Sequence, residues 1–168
     1  MPDRPSFWNQ PSNAYRNFAI AYALLTLNFV IPAFAYSFAP HAAMDQFLAV
    51  NDLFGGAPYG FPEAESRVWR YLAAANVMTL GAMCLLLLLD LRSMYPILVP
   101  LTFMKMYAAT AWLFGWLNDR GAMFFLAAAI LDYGTSAAFV YFARTAKRAI
   151  ATVADAQLVP RPKNWFGK

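Results

Sequence analysis

The sequence predicts an all-α integral membrane protein, a bundle of four transmembrane helices with a short amphipathic helix in the first external loop. Three observations lead there. Four apolar segments, 18–38, 68–89, 97–117 and 123–143, have about 20 residues each, the length at which a helix crosses a hydrocarbon core of about 30 Å. Of the 168 residues 61% are hydrophobic and only 13% charged, whereas a soluble domain has about 45–50% apolar and about 25% charged residues. Lysine and arginine are also unevenly shared between alternate connections. Because lipid offers the backbone no hydrogen-bond partner, each spanning segment must be helical.

Residues 1–17 read as a cytoplasmic N-terminal segment. In the first span Ala33-Phe34-Ala35 resembles a signal-cleavage site, but the apolar part is longer than a usual signal core and is expected to be retained. Asn28 lies mid-span, and Pro32 removes the hydrogen bond to the Asn28 carbonyl, so a bend beside an amide side chain is expected. The loop 39–67 is long for a connection. Within it Ala43, Phe47, Val50 and Phe54 recur at helical spacing, which predicts a short helix on the membrane surface or over the bundle. The loop is acidic, with Asp45, Asp52, Glu63 and Glu65.

The second and third spans are joined by "DLRSMYP" and the third and fourth by "NDRG"; such short links predict antiparallel neighbours. Residues 144–168 form a basic tail. Arg144, Lys147, Arg148, Lys163 and Trp165 suit an anionic membrane surface, and the cluster is too small and too close to the membrane for nucleic acid. Nine Lys or Arg residues lie on the side of the termini (Arg4, Arg16, Arg92, Arg144, Lys147, Arg148, Arg161, Lys163, Lys168) and three on the other (Arg67, Arg70, Arg120). This bias places both termini in the cytoplasm, and a bacterial cytoplasmic (inner) membrane is the expected location. Tyr15, Trp69, Tyr71, Tyr95, Trp112, Trp116 and Tyr141 fall near span ends, as interfacial aromatics do.

Two charges lie inside spans: Lys105 in "TFMKMYAATAW" and Asp132 in "AILDYGTSAA". Lys105 precedes the turn at Asp119–Arg120 by about 14.5 positions and Asp132 follows it by about 12.5, an axial mismatch of about 3 Å. Each charge alone near the bilayer centre costs about 2.5–3.5 kcal/mol, which favours pairing. Three roles compete for Lys105: snorkelling to the surface, a structural bridge to Asp132, or a site for a proton, an ion or a polar head group. Asn28, Asn76, Tyr107 and Tyr133 are the further members of this candidate intramembrane site, with Thr79, Thr110, Thr135 and Ser136 nearby. Each of these polar groups could equally serve one interhelical hydrogen bond. Ala111 with Gly115, and Gly134 with Ala138, are small residues four apart that permit close helix contact.

The inventory excludes several classes. One cysteine, Cys84, allows no internal disulfide. With one histidine, His41, the chain cannot by itself build a bis-histidine haem site or a His/Cys metal cluster, and no metal site is expected. No P-loop, nucleophile elbow or H-E-x-x-H is present, and no catalytic residue is assigned. A lipid, quinone or pigment between the helices remains compatible with the composition.

The four spans, the long first external loop and the tight later links, with "LLLLLDLRSMYP", Lys105 and Asp132, resemble the DoxX-like group of small four-helix bacterial membrane proteins over about residues 18–143. The resemblance implies quinol- or thiol-linked chemistry, and a lone Cys84 supplies no pair for the latter. The leading expectation is a non-catalytic accessory subunit of a larger bacterial membrane complex, packing through its helices, acidic loop and basic tail among membrane lipids. A small homo-oligomeric transporter or proton-coupled carrier using Lys105 and Asp132 is the alternative. A quinone- or lipid-binding membrane enzyme of DoxX-like type is the second.

Overall fold

The computed structural model describes residues 6–60 and 66–160. Its helices are α1 (Asn13–Phe38), α2 (Pro40–Leu53), α3 (Arg67–Leu89), the single turn α4 (Leu91–Met94), α5 (Leu98–Asn118) and α6 (Met123–Ala149), with 3-10 turns at Tyr95–Ile97 and Asp155–Gln157. Four helical stretches, Asn13–Phe38, Arg67–Leu89, Leu91–Asn118 and Met123–Ala149, are long and apolar enough to cross a membrane. The chain is thus an all-helical four-span bundle of integral membrane type.

α1 begins where Ser12 caps it, its hydroxyl accepting from the Tyr15 amide at 3.1 Å. Pro32 is held within a continuous helix. Only Ala39 separates α1 from α2, and Pro40 opens α2 at a position where a missing N–H costs nothing. α2 turns Ala43 and Phe47 inward, as the spacing predicts. Phe54 departs from the pattern: it caps the helix and is exposed. The inward place one turn after Phe47 goes instead to Asn51, which is fully buried.

Asn51 is satisfied on both sides of its amide. Its Nδ2 donates to the Ala57 carbonyl at 2.8 Å, and its Oδ1 accepts from the Phe124 amide at 3.4 Å. Gly55, at φ +68°, reverses the chain after α2. Gly56 then lies so close that a Cβ would fall 2.2 Å from Asn51 Oδ1. The Ala57 amide donates to Gly121 at 2.7 Å, which ties this segment to the α5–α6 turn.

The spans form two tight pairs. α1 packs along α3, α5 packs along α6, and α1 also meets α6. At Gly81 a Cβ would stand 2.9 Å from Val30 Cγ2 and 3.4 Å from Phe29 Cβ, so the missing side chain lets α1 and α3 close on each other. Gly115 plays the same part in the α5–α6 hairpin, facing the Phe125 ring. Gly134 does not: a Cβ there would meet nothing within 4 Å, so the expected Gly134–Ala138 packing site is absent within the chain.

α3 and α5 scarcely touch, although their link is short. Asp90 ends α3 and caps α4, its Oδ1 accepting from the Ser93 amide at 3.1 Å. Leu91 and Met94 are buried, and Pro96 sits in the 3-10 turn that follows. The link therefore covers the end of the bundle before returning, and the two helices part instead of forming a hairpin.

The main core lies in the half of the bundle nearer the termini. It joins Phe18, Tyr22, Phe29, Cys84, Leu87, Leu101 and Phe139, with Tyr22 Oη donating to the Phe139 carbonyl at 3.0 Å. Tyr15 belongs to this core, 1% exposed, and not to an interfacial belt. α6 continues through Ala149, so Arg144, Lys147 and Arg148 are helical. Beyond it the chain folds back, burying Ile150 and Leu158. The Arg92 guanidinium holds this segment through Asp155 and the carbonyls of Ile150 and Val153. Gln10 bonds both the amide and the carbonyl of Val159, so the two ends of the described chain meet on one face.

Candidate functional site

Lys105 and Asp132 come together. The α5–α6 turn sets them at nearly equal depth, and Lys105 Nζ bonds Asp132 Oδ1. The side chains are 12% and 13% exposed. Lys105 Nζ also lies 5.1 Å from the centroid of the Phe29 ring, whose π-face favours a cation. Lys105 therefore turns inward among α1, α5 and α6 and does not reach for the surface.

The other residues expected at this site are elsewhere. Tyr107 is 70% exposed and stacks on Phe103, away from the pair. Tyr133 Oη meets Thr110 Oγ1 at 3.0 Å, a separate tie between α5 and α6. Asn28 points outward from α1 and is exposed. Thr79, Thr110, Thr135 and Ser136 bond carbonyls one turn back in their own helices. Hydropathy fixes which residues share a span, not which share a face, and these helices are apolar on most sides.

Asn76 belongs to a second feature. Where α3 and α5 diverge, in the half of the bundle away from the termini, a cavity of about 560 Å³ opens under α2. This volume is typical of small-molecule pockets, which run about 300–1,000 Å³. The wall is apolar and aromatic: Met44 and Phe47 from α2, Trp69, Ala73 and Val77 from α3, Trp112 from α5, Phe124 and Phe125 from α6, and Tyr59. Phe47, Tyr59, Trp112, Phe124 and Phe125 contact one another ring to ring. Tyr36, Arg70 and Asn76 are the polar side chains that join them.

Arg70 lies in the first turn of α3 and Asn76 six positions on, about 9 Å deeper. Among the described residues Arg70 Nε is buried without a hydrogen-bond partner, a state that costs about 1–3 kcal/mol or more for a charged group. The cavity thus has a cationic donor near its outer end, an amide deeper in, and rings between. Neither Lys105 nor Asp132 lines it. The sequence carried a partial signal: Trp69, Ala73, Asn76 and Val77 share one face of α3. The convergence of α2, α5 and α6 on that face depends on the parting of α3 from α5, which no spacing encodes.

On the face of the termini, Arg144, Lys147 and Arg148 are exposed near the end of α6, where cations complement the helix dipole. Lys147 Nζ stands 3.6 Å from the Tyr95 ring centroid. Lys163 and Trp165 lie outside the described residues, as do Glu63 and Glu65. Among the described residues no three His, Cys, Asp or Glu side chains gather as metal ligands. No protein family, curated protein or solved structure matches this chain.

Proposed function

We propose that this chain is a non-catalytic membrane protein that holds an amphiphilic molecule, with a quinone- or lipid-like apolar body and a hydrogen-bond-accepting head, in the cavity between α3 and α5. The cavity itself carries this reading, because it combines drug-sized volume, an aromatic wall and an Arg70 Nε donor that has no partner among the described residues. Flat or chain-like apolar groups gain from burial against the rings, by about 25 cal/mol per Å². A carbonyl or acidic head would satisfy Arg70, and Asn76 can donate to or accept from a second polar group. The positive-inside bias supports a reading in which this end of the bundle faces the outer side of a bacterial inner membrane, with both termini cytoplasmic.

Two tryptophans, Trp69 and Trp112, line the cavity and report on its content. Titrating the purified full chain with a short-tailed quinone, and separately with a fatty acid, should quench or shift their emission saturably. Ala73→Trp, which fills the cavity, should abolish this while leaving the helical circular dichroism intact. Arg70→Gln should weaken it about tenfold, as loss of one charged hydrogen bond does. Absence of saturable binding for both probes, or equal binding to Ala73→Trp, would remove the proposal.

Exposed Asp45 and Asp52 on α2 favour a second reading, an accessory subunit that docks this acidic face on a basic partner. Stoichiometric co-purification with a larger assembly in mild detergent, lost on Asp45→Asn with Asp52→Asn, is the outcome it requires.

A further inference from the structure

α1 carries a seam that the bundle leaves uncovered. Ala21, Leu24, Asn28, Ile31, Ala35 and Phe38 follow one another at alternating spacings of three and four, the pattern of one face of a supercoiled helix. Leu24, Ile31 and Phe38 are 61%, 63% and 80% exposed. Asn28 is exposed as well, and Ala21 and Ala35 are partly so. The opposite side of α1, with Phe18, Tyr22, Phe29 and Ala33, is the side buried in the bundle.

Acyl chains suit the leucine, isoleucine and phenylalanine of this seam. They do not suit Asn28. It lies about 4 Å from the midpoint of α1, and its neighbour Phe29 touches Lys105, so it sits at the depth of the buried ion pair. Among the described residues its amide has no hydrogen-bond partner. Its own carbonyl is also deprived, because the residue four positions on is Pro32, which has no N–H. An amide side chain thus faces hydrocarbon beside a carbonyl that lacks its usual helical donor, and an unsatisfied polar group there costs several kcal/mol.

We infer that a second copy of this chain covers the seam, with the two α1 helices parallel about a twofold axis normal to the membrane and their Asn28 side chains paired. Copies inserted in one membrane share one orientation, so their α1 helices run parallel and bring Asn28 to the same depth. A primary amide carries both donor and acceptor and is complementary to itself. A symmetric contact needs nothing else. The second copy's amide can bond the side chain of Asn28 or the carbonyl freed by Pro32. Ala21 and Ala35, one heptad to either side, let the helices approach closely enough for that bond. The seam runs about 26 Å from Ala21 to Phe38, most of the hydrocarbon thickness. None of its residues lines the cavity, so the contact is independent of ligand binding.

The test uses the full chain reconstituted in phosphatidylcholine vesicles. Cys84 is fully buried and stays in place. Under a mild oxidant, Leu24→Cys should form disulfide-linked dimers, whereas Phe103→Cys, equally open on α5, should not. Energy transfer between labelled chains, followed on dilution with lipid, should show Asn28→Leu dissociating about tenfold more readily, equivalent to about 1.4 kcal/mol. Asn28→Gln, which keeps the amide, should stay within about threefold of the native chain. Asn28 faces away from the bundle, so helical content and melting of the monomer should not change. A native chain monomeric at every dilution, an Asn28→Leu dimer as tight as native, or cross-linking of Phe103→Cys as fast as Leu24→Cys would each overturn the inference.

Discussion

Replacing Lys105 by Met strands the Asp132 carboxylate inside the bundle, and replacing Asp132 by Leu strands the Lys105 ammonium. Lys105 lies seven positions from the start of α5, about 10 Å along the axis, and both side chains are nearly nine-tenths covered. A charge at such a depth costs about 2.5–3.5 kcal/mol. Local relaxation of the bundle around the stranded group recovers part of this, and the stranded lysine recovers more by reaching toward the surface. About 2 kcal/mol should remain for each single variant. The double variant Lys105→Met/Asp132→Leu keeps the volume, has no charge to strand and loses only the contact of Lys105 with Phe29, so it should cost about 1 kcal/mol. The pair then couples by about 3 kcal/mol, at the top of the range measured for contacting residues. Reversible unfolding in mixed micelles titrated with a denaturing detergent, read by far-ultraviolet circular dichroism, measures all four corners of this cycle. Single variants that each cost under about 0.5 kcal/mol, or a double variant equal to the sum of the singles, would refute the account of a mutually compensating buried pair.

Three further outcomes follow from the packing. Gly81→Leu should separate α1 from α3 and destabilise the bundle by about 2–3 kcal/mol in the same unfolding assay, because the branched Val30 cannot yield to a long side chain. Asn51→Ala should cost about 2 kcal/mol, since the Phe124 amide and the Ala57 carbonyl both lose their hydrogen bond to the Asn51 side chain; hydrogen exchange should rise first at residues 54–57 and at the start of α6. Arg92→Ala should free the segment after α6. Limited proteolysis would detect this as faster cutting between residues 150 and 160, with the four spans protected, and unchanged cutting would rule out the clamp.

The spans were legible because a run of about 20 apolar residues admits one solution in lipid. The Lys105–Asp132 contact was legible for a different reason: a tight turn converts distance along the chain into depth on both sides. Direction around a helix axis is another matter. Tyr107 and Tyr133 flank the same pair in sequence, yet one faces outward and the other meets Thr110. Arg144 to Ala149 stayed outside the fourth span because charges end a hydropathy window, but "ARTAKRA" is rich in helix formers and the helix simply continues. Arg92 reads in sequence as a free cation that helps set orientation. Its acceptors at Ile150, Val153 and Asp155 lie far along the chain, and only the fold brings them to it. The cavity was hidden for a related reason: the length of a link bounds the distance between two helices but not the angle at which they leave it.

Lashed at one end and spread at the other, the molecule resembles a pair of tweezers. The Arg92 clasp, the Gln10–Val159 bonds and the aromatic core grip the two helix pairs near the termini, while at the far end α2 and the Asn51 knot bridge the tips. The main-chain hydrogen bonds of each span run within that span, so a few degrees of splay would resize the chamber without breaking any of them. A bulkier guest would therefore be felt first as strain at the α2 bridge, and the stiffness of that bridge would set how wide a range of guests is admitted.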